Sequence, residues 1–426
     1  MVNFKNIAVA ATTLLTQATA SPMIQAGNDI SSLAGAESGS VIPGKYIVTL
    51  KPGLETRDLD NHLSWVDGVH KRAMSVMQYK GIENKFTSKT KFHAYSGHFD
   101  KSTVDEIRNN PDVEQVEEDK VWNLAFITEK RDSALTTQFN STYGLAAVSH
   151  RQKGATNYIY SPESGEGTYA YIVDSGIRAT HVDFEGRAKA VYSAFSDEKV
   201  DTIGHGTHVA GTIGGKRYGV AKKTQLLSVK VFKGASSSTS IILQGYNWAV
   251  NDIMDKDRED SSVINMSLGG MFSFSFNAAV SAASAAGVLS VVAAGNEAQN
   301  CRNVSPASAP SAITVGAMDE NWGIAYYSNF GNCVDIFGPG SNITSAWYTS
   351  DTAINTISGT SMATPHIVGL ALNAISVHGV NGVDDVTNNL KSTATKNQIK
   401  GNLRGSPNAL GNNDNKQQNS KRAVLY

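Results

Sequence analysis

Three short segments hold residue types able to do covalent chemistry together: Asp174 in YIVDSGI, His205 in GHGTHVAGT and Ser361 in SGTSMATPH. A serine hydroxyl attacks poorly until a base takes its proton, and an imidazole within hydrogen-bond reach is such a base. A carboxylate behind the imidazole holds one tautomer and stabilises the imidazolium formed during attack, without itself taking a proton. Asp, His, Ser is one of the chain orders in which such a triad is laid out. Each residue alone has an ordinary reading, as a turn, a loop histidine and a helix start; glycines and small side chains crowd all three and admit a second backbone.

The flanking residues indicate how these groups meet. Tyr169 to Asp174 is an apolar, β-prone run, which places Asp174 at the carboxyl end of a buried strand. His205 precedes a helical pattern of Val209, Ala210 and Ile213. Ser361 opens another through Ile367, Leu370 and Leu372, with Pro365 in the first turn, where proline is tolerated. A serine at a helix amino terminus has backbone N–H groups and a positive dipole end beside it, and both favour an oxyanion. The run VLSVVAAGNE reads as a strand stopping at Gly295, so that the Asn296 amide and the Ser361 N–H together could hold a tetrahedral oxyanion. His208, His181 and His366 are read as locally packed, and Asn265 in VINMSLGG as a buried residue rather than a glycan acceptor.

Further strand-like runs are Leu226 to Phe232, Val263 to Leu268 and Val288 to Ala294. Between them, Ile242, Tyr246, Ala249, Val250 and Ile253 recur at helical spacing, and such alternation predicts an α/β fold with a parallel sheet covered by helices on both faces. Active residues then belong at the carboxyl ends of strands.

These motifs resemble the subtilisin superfamily of serine peptidases. VAAGNE, GTSMATPH and SPASAPSAIT look most like its proteinase K branch, especially secreted fungal members, over roughly Tyr143 to Gly411. The resemblance implies a subtilisin-like three-layer fold with a mostly parallel sheet between helices. It also implies a triad of Asp174, His205 and Ser361 with Asn296 as oxyanion donor. Ser267, Leu268, Gly269 and Gly270 match the strand that pairs with substrate backbone, which is β-augmentation, and Ala293, Ala294 and Gly295 match the opposite wall of the S1 pocket. Uncharged walls of Gly and Ala imply an endopeptidase with broad preference for apolar or aromatic residues before the cut. The stretch from Gly234 to Ser240 departs from the family and reads as a flexible edge strand of the cleft.

The resemblance implies no catalytic cofactor and a structural calcium ion at Pro310, Ala312 and Asp335, hard oxygen ligands being suited to calcium. Cys301 and Cys333 are the only cysteines; by themselves they fit either one bridge or two free thiols, and related proteins with cysteines in matching contexts imply the bridge. Asn140, Asn303 and Asn342 stand in Asn-x-Ser/Thr sequons of surface-loop character.

Composition sets the remaining bounds. The chain has 426 residues and a formal net charge of -1, with no basic run to serve as a nucleic-acid footprint. Lys5, the apolar stretch Ile7 to Leu15 and Ala18-Thr19-Ala20 read as a signal peptide over 1–20, and no later run has the length of a membrane span. A leader over 21–44 follows. KYIVTL, HAYSGHFD and VEQVEEDKVW read as strands and Ser102 to Asn109 as a helix, which resembles the inhibitory propeptide of subtilases, a small α+β domain over 45–121. A processing linker over 122–134 contains Lys130-Arg131, and maturation is expected to cut between Glu118 and Ala134. The peptidase domain is placed at 135–411 and a polar, disordered tail at 412–426. The expected partners are protein and peptide substrates and the chain's own propeptide, with no nucleic acid and no membrane, and the protein acts as a secreted monomer. A vacuolar location, an inactive binding protein and an adhesion protein are the alternatives.

Overall fold

A computed structural model describes residues 36–54, 56–73, 79–124, 127–128 and 141–419. The proposed signal peptide, most of the leader, Lys130-Arg131 and Asn140 lie outside the described residues.

The long apolar runs form the centre of a nine-stranded sheet. Its order is Thr395–Lys396, Ala409–Leu410, Ile336–Pro339, Ile313–Met318, Leu289–Ala293, Ser262–Met266, Tyr169–Asp174, Gln225–Lys230, Ala188–Ser193. All neighbours are parallel except the first pair. Central strands such as Ser262–Met266 are buried along their whole length, as strands covered on both faces must be. One face carries the helices His205–Gly214 and Thr360–His378, packed through Val209, Ala210, Ile213, Met362, Ile367 and Val368. The other carries Thr239–Asp255 and Phe274–Ala285, packed through Ile242, Tyr246, Ala249, Phe276 and Val280.

The amino-terminal domain is an antiparallel sheet in the order Gly81–Thr87, His93–His98, Val41–Leu50, Val113–Asn123. The helices Thr56–Arg72 and Lys101–Arg108 cover one face through Leu59, Leu63, Val66, Val104 and Ile107. Ile47, Phe86, Ala94 and Trp122 on the other face join the same apolar cluster as the Thr239–Asp255 helix. The sheet gains a fifth strand from the larger domain: Ser236–Ser238 pairs antiparallel with Val121–Asn123. Within the segment expected as a flexible edge strand, Ser236–Ser238 is the edge strand of this sheet and is buried against the amino-terminal domain, whereas Gly234 and Ala235 are exposed.

The expected disordered tail is corrected over its first part. Asn412 and Asn413 are buried, and the amides of Asn412, Asn413 and Asn415 donate to the carbonyls of His150, Ile159 and Ser149. Their side chains thereby supply partners that the irregular backbone lacks.

Candidate active site

Asp174 is the last residue of its strand and is fully buried. One oxygen, Oδ1, accepts the Ser175 N–H at 2.7 Å, and His205 Nδ1 lies 2.8 Å from Oδ1 and 3.0 Å from Oδ2. The ring is thus held at Nδ1, which assigns proton exchange to Nε2. His205 is the first residue of its helix, and Gly206 permits the close approach: a Cβ there would stand 2.1 Å from the Gly176 carbonyl oxygen and 3.2 Å from Asp174 Oδ1.

Ser361 is the second residue of the Thr360–His378 helix, only 4% exposed, with its Oγ donating to the Ser267 carbonyl at 2.9 Å. Pro365 lies within that helix, early enough to leave it unbroken. The histidine and serine helices pack on each other in one apolar cluster. Asn296 follows Gly295, whose φ of 101° suits glycine. The Thr360 N–H and hydroxyl donate to Asn296 Oδ1 at 2.8 and 2.9 Å. Because a backbone N–H can only donate, the amide oxygen must face Thr360, and the donor end, Nδ2, is the opposite end of the group.

Two supporting groups escaped the sequence reading. Asp201 is buried; its Oδ1 accepts from Ser175 Oγ, the Ile203 N–H and the Gly204 N–H, and its Oδ2 from the Thr207 N–H and hydroxyl. Ser175 Oγ in turn accepts the Gly206 N–H, and the fully buried Lys230 donates to the Ser175 carbonyl and pairs with Glu198. This network ties the turn after Asp174 to the turn before His205. The available signal was an acidic residue four positions ahead of a predicted helix start, where a carboxylate satisfies free N–H groups. Asn329, fully buried, does similar work for the Asn296 loop: its oxygen accepts the Glu297 and Gln299 N–H groups and its amide donates to Ala294 O and Glu297.

The amino-terminal domain docks on the helices of the other face of the sheet, Thr239–Asp255 and Phe274–Ala285. Glu117 accepts the Ser273 hydroxyl and the Phe274 and Ser275 N–H groups at the start of the Phe274–Ala285 helix. Asp119 accepts the Ser240 N–H and hydroxyl at the start of the Thr239–Asp255 helix, and burial pushes its carboxyl up to about 6. Both carboxylates meet positive helix ends. Trp122 is fully buried beside Phe276, ring centroids 5.2 Å apart, and so close to Gly270 that a Cβ there would fall 2.4 Å from the indole. The stretch Ser267 to Gly270, of which Gly270 alone lies in a strand, and the residues Ala293 to Gly295 are buried or half-buried.

Other predicted residues resolve as follows. Cys301 and Cys333 are joined in a disulfide, Cα atoms 6.0 Å apart. His208 is buried with Nε2 on the Ile343 carbonyl, and burial lowers it to about 3; His366 is buried with Nδ1 on the Met362 carbonyl and lowered to about 4. His181 bonds the Ala353 carbonyl and the Asp183 N–H. Asn265 is buried and bonded to Ser267. Asn303 is exposed, whereas Asn342 is half-buried with its Oδ1 enclosed. Asp335 accepts the Thr314 N–H with Oδ2 and pairs Oδ1 with Lys391 at 2.8 Å. Carbonyls of Pro310 and Ala312 with this carboxylate are a donor set suited to a hard cation, and calcium would have to displace the Lys391 ammonium.

A carboxylate at the end of a parallel strand, an imidazole bonded to it at one helix start and a serine at the start of the neighbouring helix fit a serine peptidase site. The comparisons with known proteins agree. The subtilase family model matches residues 165–416 and the peptidase inhibitor I9 model residues 45–125. Alkaline protease 1 of Aspergillus clavatus is 52% identical over 382 residues, covering 88% of this chain and 92% of that protein. A cuticle-degrading serine protease of Arthrobotrys oligospora is 42% identical, covering 90% and 94%. The crystal structure of a cold adapted subtilisin-like serine proteinase superposes with TM-score 0.59 at 38% identity, covering 64% of this chain and 97% of that one. The chain belongs to the subtilase family of serine proteases and carries an I9 propeptide domain, an intramolecular inhibitor. Among the described residues no single helix is long and apolar enough to cross a membrane.

Proposed function

We propose that the protein is a secreted endopeptidase that hydrolyses internal peptide bonds of proteins through an acyl-enzyme on Ser361, made as an autoinhibited zymogen. The observation that carries this reading is the contact of His205 Nδ1 with both Asp174 oxygens beside the helix that begins at Thr360. A substrate strand lies against Ser267 to Gly270, its scissile carbonyl at Ser361. His205 takes the hydroxyl proton as Oγ attacks, and Asp174 stabilises the imidazolium. Asn296 Nδ2 and the Ser361 N–H receive the oxyanion, and His205 returns its proton to the leaving amine. Water then repeats the sequence on the ester.

Alanine and glycine walls at 293–295 favour apolar or aromatic residues before the cut. The reading also takes the enzyme as a monomer that needs no catalytic cofactor. Calcium at Pro310, Ala312 and Asp335 would act on stability only. Of the two sequons among the described residues, Asn303 is the one whose exposure suits a glycan. A peptide-library cleavage profile of mature enzyme, beside a Ser361→Ala control, tests the proposal: preference for basic or acidic residues before the cut would contradict it.

A further inference from the structure

Residues 36–40 precede the inhibitor I9 match, which begins at residue 45, and they are built into the fold. Glu37 to Ser40 form a tight turn: the Ser40 N–H donates to the Glu37 carbonyl at 3.1 Å, and its hydroxyl donates to the same oxygen at 2.7 Å. Gly39 takes a φ of 87°, which glycine tolerates at the third position of such a turn. The turn lies along the strand by which the inhibitor domain leaves its own sheet. The Gly39 N–H donates to the Val121 carbonyl at 2.8 Å, the Val121 N–H to the Ser40 carbonyl at 2.9 Å, and the Asn123 amide to the Ala36 carbonyl at 2.9 Å. Ala36 packs on the buried Ile42 and Val121.

The opposite edge of the same strand belongs to the peptidase. Val121, Trp122 and Asn123 pair with Ser238, Ser237 and Ser236, and the Leu124 N–H donates to the Ala235 carbonyl. Residues 121–123 are therefore a central strand, with the peptidase on one edge and the turn on the other. Asn123 joins the two, since its side-chain oxygen accepts from Ser236 Oγ at 2.8 Å while its amide reaches Ala36. Gly39 also meets the peptidase directly: a Cβ there would fall 2.2 Å from Met271 Sδ. Pairing with Val41–Leu50 ends at Lys120, opposite Val41. Beyond that point the turn alone continues the domain's own hold on the strand. Without it, residues 121–123 would be a bare edge to be ordered anew at each docking, and ordering of that kind lowers affinity.

We infer that residues 36–40 are a clasp, an inhibitory element additional to the I9 domain, which presets the Val121–Asn123 strand for the Ser236–Ser238 edge and prolongs the domain's hold on the peptidase. This rests on the peptidase reading above. Two effects combine in it. The three hydrogen bonds to Val121 and Asn123 order the strand before it docks. Gly39 then closes on Met271, the residue next after Gly270. Glu117, Asp119 and Trp122 make their contacts independently of the turn, so a domain without the clasp still docks. It leaves sooner, because weakening one part of an interface acts mainly on dissociation.

The test follows the propeptide rather than the chemistry. Full-length wild type, Gly39→Pro and Asn123→Asp are expressed and purified after processing, and the half-life of the propeptide on the peptidase is read by size exclusion. Proline removes the Gly39 donor and cannot adopt its φ of 87°. Aspartate keeps an acceptor for Ser236 Oγ and loses the donor to Ala36. The expected half-life is about tenfold shorter for Gly39→Pro and about threefold shorter for Asn123→Asp, as loss of one or two net hydrogen bonds implies. A Gly39→Pro complex that lasts as long as wild type overturns the clasp. Should Gly39→Pro fail to fold, an Asn123→Asp complex of wild-type lifetime overturns it equally. Retention is scored without activity, so a peptidase that stays inert after its propeptide has left contradicts the peptidase reading and leaves the clasp standing.

Discussion

Replacing Asp201 by asparagine probes how the triad is held without touching a reacting atom. Both carboxylate oxygens accept only, three donors on Oδ1 and two on Oδ2. An amide must present N–H groups to one set, and turning them toward the smaller set sets them against the Thr207 N–H. The Thr207 hydroxyl, which already accepts the Arg178 N–H, can rotate to accept from the new amide, so one buried donor is left unmatched together with the lost charge. An unmatched buried donor costs about 1–3 kcal/mol and loss of a charged acceptor adds about 1 kcal/mol, which gives about 2–4 kcal/mol. If that displaces Ser175 and Gly206, the Asp174–His205 contact loosens and kcat falls roughly 30- to 1,000-fold. The groove Ser267 to Gly270 lies elsewhere, so KM on a chromogenic peptide should change little. The diagnostic is this split, together with rescue in Asp201→Glu of part of kcat. An Asp201→Asn enzyme with unchanged kcat and a raised KM would refute the positioning role.

Glu117→Ala removes three acceptor contacts at a half-buried helix start; docking of the cleaved propeptide should weaken by about 2 kcal/mol, seen as faster appearance of activity after processing. His208 and His366 are neutral in the fold with depressed values, so their contribution is present above pH 6.5 and lost as pH falls toward about 3 and about 4 respectively. By pH 4.5 each should have removed about 2–3 kcal/mol, measurable as a fall in Tm of the Ser361→Ala precursor. Calcium in large excess should raise Tm more in Lys391→Ala than in wild type, because the competing ammonium is gone; equal insensitivity of both proteins to calcium and chelator would remove the site.

The parallel sheet was legible because its strands are continuous apolar runs, and the four motif segments were legible because each ends such a run or starts a helix. Strand ends moved by a residue or two: Leu226 to Phe232 is Gln225–Lys230 in the fold. The Thr56–Arg72 helix went unread, since Leu59, Leu63, Val66 and Val69 are diluted by charged and polar residues over most of its surface. Asp201, Asn329 and the 412–415 asparagines were invisible for another reason. Their importance lies in satisfying backbone groups distant in sequence, and a polar residue in a loop has the same local signature whether it is solvated or buried. The Ser236–Ser238 strand looked flexible because its partner, Val121–Asn123, lies far away in the chain.

The account turns on Ser361 being activated by His205. Mature enzyme treated with a fluorophosphonate and digested for mass spectrometry should carry one adduct, on Ser361, formed far more slowly in His205→Ala. An active enzyme that acquires no adduct, or one modified at another residue, would contradict it.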